Sequence, residues 1–127
     1  AMRRVVVPAV RQFAPDVIVV ASGFDASAAD PLGRMLVTST GYRDMTDMVL
    51  ELAAEVCGGR VVMTHEGGYS PTYVPYCGLA VLEQMSGMKT GVPDDFGAGY
   101  DELPDQHLRP HQLEVIEAAA RLAGVAG

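Results

Sequence analysis

Apolar positions alternate along the chain between helical spacing and unbroken runs, which predicts alternating helices and strands. The spacing over residues 5–13 predicts a first helix, in which Pro8 lies in the first turn or introduces a kink. The β-branched run over 17–21 predicts a strand buried on both faces, and residues 60–64 predict a second, shorter buried strand. A glycine-containing loop follows each of these strands.

Three further helices are predicted after the first strand. Residues 41–56 carry apolar side chains at positions i, i+3, i+4 and i+7, with acidic residues outside that set, and a glycine pair follows them as a stop signal. Residues 71–85 predict the next helix, and residues 111–123 predict a terminal one. The section 87–110 is interrupted by glycine and proline and is predicted to be mostly irregular.

This order of elements predicts an α/β fold with a parallel sheet and right-handed crossovers. A length of 127 residues fits a single domain over residues 1–127. Only two strands are predicted, however, and a parallel pair buried on both faces needs neighbouring strands at its edges and helices over its faces. The sequence therefore resembles one end of a larger sheet.

Composition and charge exclude several classes of partner. Nine basic against 16 acidic residues give a net charge of −7, which argues against binding to a nucleic-acid backbone. No apolar stretch reaches the ~20 residues needed to cross a bilayer, so we expect no membrane association and no signal peptide, with Ala1 as a cloning remnant. Cys57 and Cys77 have no C-x-x-C spacing, so a disulfide framework is not expected. We therefore expect a cytoplasmic location.

Candidate chemistry lies in the loops after the two strands, because ligands of open α/β sheets bind outside the carboxyl ends of the strands. The first loop, Ser22-Gly23-Phe24-Asp25, ends on a carboxylate. Asp25 fits three roles from its position alone: a ligand to a divalent metal, a general base, or a cap for the following segment.

The second loop reads His65-Glu66-Gly67-Gly68-Tyr69. His65 and Glu66 are interpreted as polar residues that leave the end of a strand. Gly67 and Gly68 permit a tight turn, a close approach of backbone to a ligand, or both. The Tyr69 phenol is suited to donate a hydrogen bond to an oxyanion. A tyrosine in a loop can equally serve as an amphipathic packing residue.

The remaining polar and aromatic clusters are assigned to structure rather than to chemistry. The pair His107 and His111 is assigned to the surface, because Pro110 between them disfavours the helical spacing of a metal pair. Core or interface packing is expected for two tyrosines, and a solvated loop for two acidic pairs; these residues are Tyr73, Tyr76, Asp94-Asp95 and Asp101-Glu102.

Three stretches together resemble zinc-dependent histone deacetylase-like amidohydrolases. These are residues 15–26, which read PDVIVVASGFDA, the turn Asp30-Pro31-Leu32-Gly33, and the loop 65–69. Bacterial class II-like members and acetylpolyamine amidohydrolases are the most similar groups. The resemblance covers about residues 4–87 and implies only the carboxyl-terminal part of a three-layer, parallel-sheet arginase/deacetylase-like fold.

The resemblance implies a role for each candidate residue. Asp25 corresponds to one of three protein ligands of a catalytic Zn²⁺, and Tyr69 to the donor that stabilises the tetrahedral oxyanion. Gly67 and Gly68 correspond to the lining of the channel that holds an acyl-lysine or acylamine chain. Ser27 stands where many relatives have histidine, which departs from the pattern of the family.

The resemblance also implies that most of the active site lies outside this chain. The paired histidines of the family and its other two zinc ligands precede the matched region, so we expect the chain alone to bind zinc poorly and to hydrolyse no amide. We expect it to form a homo-oligomer or to associate with the missing amino-terminal portion. Two other hypotheses are a non-catalytic, self-associating α/β fragment and a small domain whose glycine-rich loops bind an anion.

Overall fold

The computed structural model describes residues 1–104 and 107–125. Within these residues lie two strands and five α-helices, and a π-helical turn, Met2–Val6, precedes the first of the helices. In chain order the elements are α1 (Val7–Phe13), β1 (Ile18–Ser22), α2 (Ser39–Cys57), β2 (Val61–His65), α3 (Val74–Ser86), α4 (Asp95–Asp101) and α5 (Pro110–Leu122). The predicted α/β order is confirmed.

The chain divides into two compact units, which are described separately. The helical unit comprises residues 1–18 and 48–61 together with the described residues 107–125, and the sheet unit comprises residues 19–47 and 62–104. In the helical unit, the guanidinium of Arg11 donates two hydrogen bonds to Glu55, of 2.6 and 2.8 Å, on a half-exposed surface where such pairs contribute little. None of the helices in the described ranges is both long and apolar enough to span a membrane.

The two strands form a parallel pair in which only one face is covered. Val19 of β1 is 66% exposed and Val62 of β2 is 51% exposed, whereas their sequence neighbours are partly buried. The prediction that both strands are buried on both faces is therefore wrong for this chain. The reason is that, within the sheet unit, no helix buries the face that carries Val19 and Val62.

The core of the sheet unit lies beneath the loop that follows β1. Its buried members are Phe24, Tyr42, Tyr73, Cys77 and Val81. The rings of Phe24 and Tyr42 meet edge to face with their centroids 5.2 Å apart. Tyr73 is 1% exposed, so its expected packing role is confirmed.

A short helix, α4, lies in the section that was predicted to be mostly irregular. The Asp94 carboxylate caps it by accepting a 2.8 Å hydrogen bond from the Gly97 N–H, and also accepts the hydroxyl of Ser39. Asp101 accepts a 2.8 Å hydrogen bond from the hydroxyl of Thr38. The assignment to a solvated loop is therefore wrong for Asp94, which is half-buried and binds Ser39, 55 positions away in sequence. Asp95, Asp101 and Glu102 are exposed as expected, although Asp101 also binds Thr38.

Helix α3 begins at Val74, three residues later than predicted, because the preceding residues form a turn. The N–H groups of Tyr73 and Val74 both donate to the carbonyl oxygen of Ser70, at 3.2 and 3.0 Å. At the end of α2, the predicted stop signal is confirmed. Gly58 and Gly59 adopt φ values of 61° and 79°, which glycine tolerates without strain.

The turn around Gly33 packs directly against the backbone that follows β1. A Cβ at Gly33 would overlap the carbonyl oxygen of Asp25 and crowd its carbonyl carbon. Only glycine therefore fits here, since the atoms it meets belong to the main chain and cannot rotate away.

Replacing Gly33 with alanine is expected to lower the free energy of unfolding by about 1–3 kcal/mol or more, because the two backbones must separate. The matched control is Gly99→Ala in α4, where no atom lies within reach of the added methyl and alanine favours the helix by up to about 1 kcal/mol. Chemical denaturation monitored by circular dichroism measures both variants. Equal stability of the two would contradict this account of Gly33.

Candidate functional site

Two loops meet at the carboxyl edge of the parallel strands. The Asp25 loop comprises residues 22–25, and the Tyr69 loop comprises residues 65–69. The Glu66 N–H donates to the carbonyl oxygen of Ser22 at 3.1 Å, and the Phe24 N–H donates to that of Gly67 at 2.6 Å. The strand pairing thus continues into the loops and holds their backbones side by side.

The Asp25 carboxylate lies against the backbone of the Tyr69 loop. A Cβ on Gly67 would overlap its Oδ2 atom, and a Cβ on Gly23 would lie 3.0 Å from its Oδ1 atom. Among the described residues, no hydrogen bond engages this carboxylate. The arrangement does not support the capping role, and it leaves both oxygens of a half-buried carboxylate available to a ligand.

Tyr42 of helix α2 contacts the Asp25 loop. The Tyr42 phenol donates a 3.2 Å hydrogen bond to the carbonyl oxygen of Gly23, while its ring packs on Phe24. Burial raises the pKa of this phenol well above its usual value, and the charge of nearby groups, including Asp25, adds to the effect. Tyr42 therefore stays a hydrogen-bond donor at neutral pH.

The Tyr69 loop turns on Gly68, which has a φ of 140°. A Cβ there would lie 2.9 Å from the Cβ of Phe24 and 3.0 Å from the Cγ2 of Val74, so both conformation and space require glycine. Tyr69 itself is 53% exposed. Within the described part of the chain its phenol takes part in no hydrogen bond, including none with Asp25, and it is free to meet a ligand.

The Asp30 carboxylate connects the turn over residues 30–33 to the Tyr69 loop. Its Oδ1 atom accepts 2.8 Å hydrogen bonds from the N–H groups of Leu32 and Gly33, and its Oδ2 atom accepts a 2.7 Å hydrogen bond from the Tyr69 N–H. Burial works to raise the pKa of this carboxyl, but the three backbone hydrogen bonds outweigh it, so the pKa lies below its usual value. Asp30 is thus held ionised.

Sequence reasoning treated Asp30 only as part of a turn and did not single out Tyr42. The sequence Asp-Pro-Leu-Gly indicates an aspartate that bonds the backbone two residues on, and this signal predicts half of what Asp30 does. The bond to Tyr69 spans 39 positions and leaves no local signal. Tyr42 lies on the apolar face of α2, where its sequence position indicates packing alone.

The described residues alone do not fit a complete zinc centre. Within residues 1–104 and 107–125, no three of the side chains His, Cys, Asp and Glu lie close enough to hold a metal, whereas a catalytic zinc takes about three protein ligands. His65 packs its ring on Phe24, and Glu66 accepts the hydroxyl of Thr64, as expected for polar residues at a strand end. Asp25 is therefore available as one ligand of a larger set.

The chain is similar in sequence to histone deacetylases. The family model for the histone deacetylase domain matches residues 1–85. A histone deacetylase-like amidohydrolase of Pseudomonas aeruginosa is 48% identical over 127 positions, which cover 98% of this chain and 33% of that protein. Histone deacetylase 8 of Arabidopsis thaliana is 48% identical over 83 residues, which cover 65% of this chain and 22% of that protein.

The fold gives the same result. The solved structure of the histone deacetylase Clr3 superposes with a TM-score of 0.75 at 29% sequence identity, over 97% of this chain and 18% of that one. The chain thus spans between about a fifth and a third of the relatives it matches. The resemblance inferred from residues 15–26, the turn over 30–33 and the loop over 65–69 is confirmed.

Gly67→Ala is expected to displace the Asp25 carboxylate with little cost to the fold, because the overlapped atoms end a rotatable side chain. If Asp25 ligates a metal in a longer protein, the affinity for that metal should fall about 10- to 100-fold, the range typical of a disturbed ligand environment. The control is Gly78→Ala, whose methyl would make only an ordinary 3.9 Å contact with the Phe24 ring. Metal titration and thermal unfolding measure the two effects; unchanged affinity in Gly67→Ala contradicts the packing argument.

Proposed function

Because the chain belongs to the histone deacetylase domain family, we propose that it forms the carboxyl-terminal part of a zinc-dependent amidohydrolase that removes acyl groups from amines. One observation carries the proposal. A carboxylate without a hydrogen bond among the described residues, Asp25, lies against the glycine pair that leads into an exposed tyrosine, Tyr69.

In this proposal Asp25 supplies one ligand to the metal. The other ligands and the groups that move protons come from residues outside this chain, since the described residues hold no cluster that would complete the site. When bound, zinc polarises an amide carbonyl and lowers the pKa of a water molecule. In this proposal the chain by itself hydrolyses no amide.

Tyr69 donates a hydrogen bond from its phenol to the oxygen of the substrate carbonyl. Negative charge develops on that oxygen only as the carbonyl carbon becomes tetrahedral, so this hydrogen bond is stronger in the transition state than in the bound substrate. The exposure of Tyr69 and the freedom of its hydroxyl support the role. The backbone of Gly67 and Gly68 lines the channel for the acyl-amine chain in this proposal. The space that a side chain would take is filled by Asp25 at Gly67, and by Phe24 and Val74 at Gly68.

The substrate class is an acylated alkylamine, either acetyl-lysine or an acetylpolyamine. Both present the same amide at the end of a flexible chain. The net charge of −7 disfavours nucleic acid and favours substrates that keep further protonated amines, as an acetylpolyamine does. The thiols of Cys57 and Cys77 are free, which is consistent with a reducing cytoplasm.

Tyr69→Phe in the complete enzyme is expected to lower kcat about 100- to 1000-fold on acetyl-lysine peptide and on acetylpolyamine, with little change in KM, because only the transition state loses a donor. The control is Tyr76→Phe, which removes a hydroxyl from a tyrosine packed on the core. Steady-state kinetics on both substrates also identify the preferred amine. Wild-type turnover in Tyr69→Phe would refute the assigned role.

We further propose that the uncovered face of the strand pair is an association surface. Val19 and Val62 expose β-branched side chains on adjacent parallel strands, an arrangement that proteins usually cover. The rest of the deacetylase domain covers this face in the complete enzyme, and a second copy covers it when the chain is alone.

The isolated chain is therefore expected to elute as a dimer or larger species, and Val19→Lys to shift it towards the monomer, because a buried unpaired charge disfavours association. Val115→Lys is the control, since Val115 is similarly exposed, at 68%, but lies on α5 in the helical unit. Size-exclusion chromatography with light scattering measures the masses. A monomeric wild-type chain would contradict the association.

A further inference from the structure

The Asp30 carboxylate is surrounded by backbone donors from two separate segments. It is 9% exposed, and it accepts N–H groups from Leu32 and Gly33 through one oxygen and from Tyr69 through the other. Hydrogen bonds to an ionised acceptor are roughly twice as strong as neutral ones. Asp30 thus ties the Tyr69 loop to the turn over residues 30–33.

The turn over residues 30–33 also packs against the backbone of Asp25. The Gly33 backbone lies against the carbonyl group of Asp25 without room for a methyl group between them. The same carboxylate therefore fixes, on one side, the peptide behind the proposed metal ligand and, on the other, the peptide that carries the proposed oxyanion donor.

The Tyr69 loop needs such a tie. Two glycines precede Tyr69, and glycine adds backbone freedom rather than restricting it. The phenol makes no hydrogen bond with the described residues, so its position follows from where the backbone of Tyr69 is held. The 2.7 Å bond from the Tyr69 N–H to Asp30 supplies that restraint.

We propose that Asp30 is a positioning residue, which aligns the Tyr69 phenol with the substrate carbonyl by holding the Tyr69 backbone at a fixed distance from Asp25. The inference rests on the function proposed above and adds a residue to it. Asp30 touches neither substrate nor metal in this account and acts only through Tyr69 and the turn. Misplacement of a reacting group by about 1 Å costs up to about 100-fold in rate.

The test is a double-mutant cycle in the complete enzyme, with Asp30→Asn, Tyr69→Phe and the combined variant. Asparagine keeps the size of the side chain, but its NH₂ group cannot accept a hydrogen bond. Its remaining oxygen is expected to face the two N–H groups of the turn rather than the single N–H of Tyr69, so Tyr69 loses its partner. Asp30→Asn alone is expected to lower kcat about 10- to 100-fold with KM changed less than about 3-fold. Added to Tyr69→Phe, it should cost less than about 3-fold, because the phenol it positions is already absent. Equal losses in the two backgrounds would overturn the proposal in favour of a general structural role.

A second measurement separates the hydrogen bond from Tyr69 to Asp30 from those within the turn. Replacing a backbone amide by an ester removes one N–H and keeps the side chain. The ester at Tyr69 is expected to lower kcat as Asp30→Asn does, whereas the ester at Leu32, which loses a bond only within the turn, should lower it less than about 3-fold. The reverse order would refute positioning through Tyr69.

Amide hydrogen exchange of Tyr69 provides a readout without catalysis. The N–H is expected to exchange slowly in the complete wild-type protein and at least 10-fold faster in Asp30→Asn; unchanged protection overturns the inference. The failures of the two proposals remain distinguishable. Full activity of Tyr69→Phe refutes the role of the phenol, whereas a crippled Tyr69→Phe beside an unaffected Asp30→Asn refutes only the role of Asp30.

Discussion

The candidate site depends on the close packing of two backbones beyond the ends of β1 and β2. The parallel pairing does not stop at the strand ends, since the Phe24 N–H still donates to the Gly67 carbonyl oxygen at 2.6 Å. This bond brings the Asp25 carboxylate against Gly67, so closely that a side chain on Gly67 would displace the carboxylate.

Two carboxylates five positions apart have opposite environments because of this packing. Asp30 is buried and accepts three backbone N–H groups, so its charge is fully used by the protein. Asp25 accepts none among the described residues, so its charge is available to a ligand. A saturated carboxylate stabilises a loop, whereas an unsaturated one beside it is suited to bind a cation.

The sheet has a similar division between satisfied and unsatisfied surfaces. One face of the strand pair packs on the aromatic core around Phe24, and the other exposes Val19 and Val62. Relatives that this chain matches are three to five times as long, which agrees with a fold whose remaining layers come from elsewhere. The candidate metal site is incomplete in the same way as the sheet. Asp25 offers one ligand, and the described residues do not supply the others.

The sequence by itself determined the order of helices and strands, the two loops that form the candidate site and the family. These are local properties, since hydrophobic period, strand-forming runs and loop motifs are written in consecutive residues. Only the tertiary structure decided that Asp94 binds Ser39, that Asp101 binds Thr38, that one strand face stays uncovered and that Asp30 holds Tyr69. Each of these depends on partners 39 to 63 positions away or on a covering layer, and no local pattern encodes which distant group will meet a given side chain.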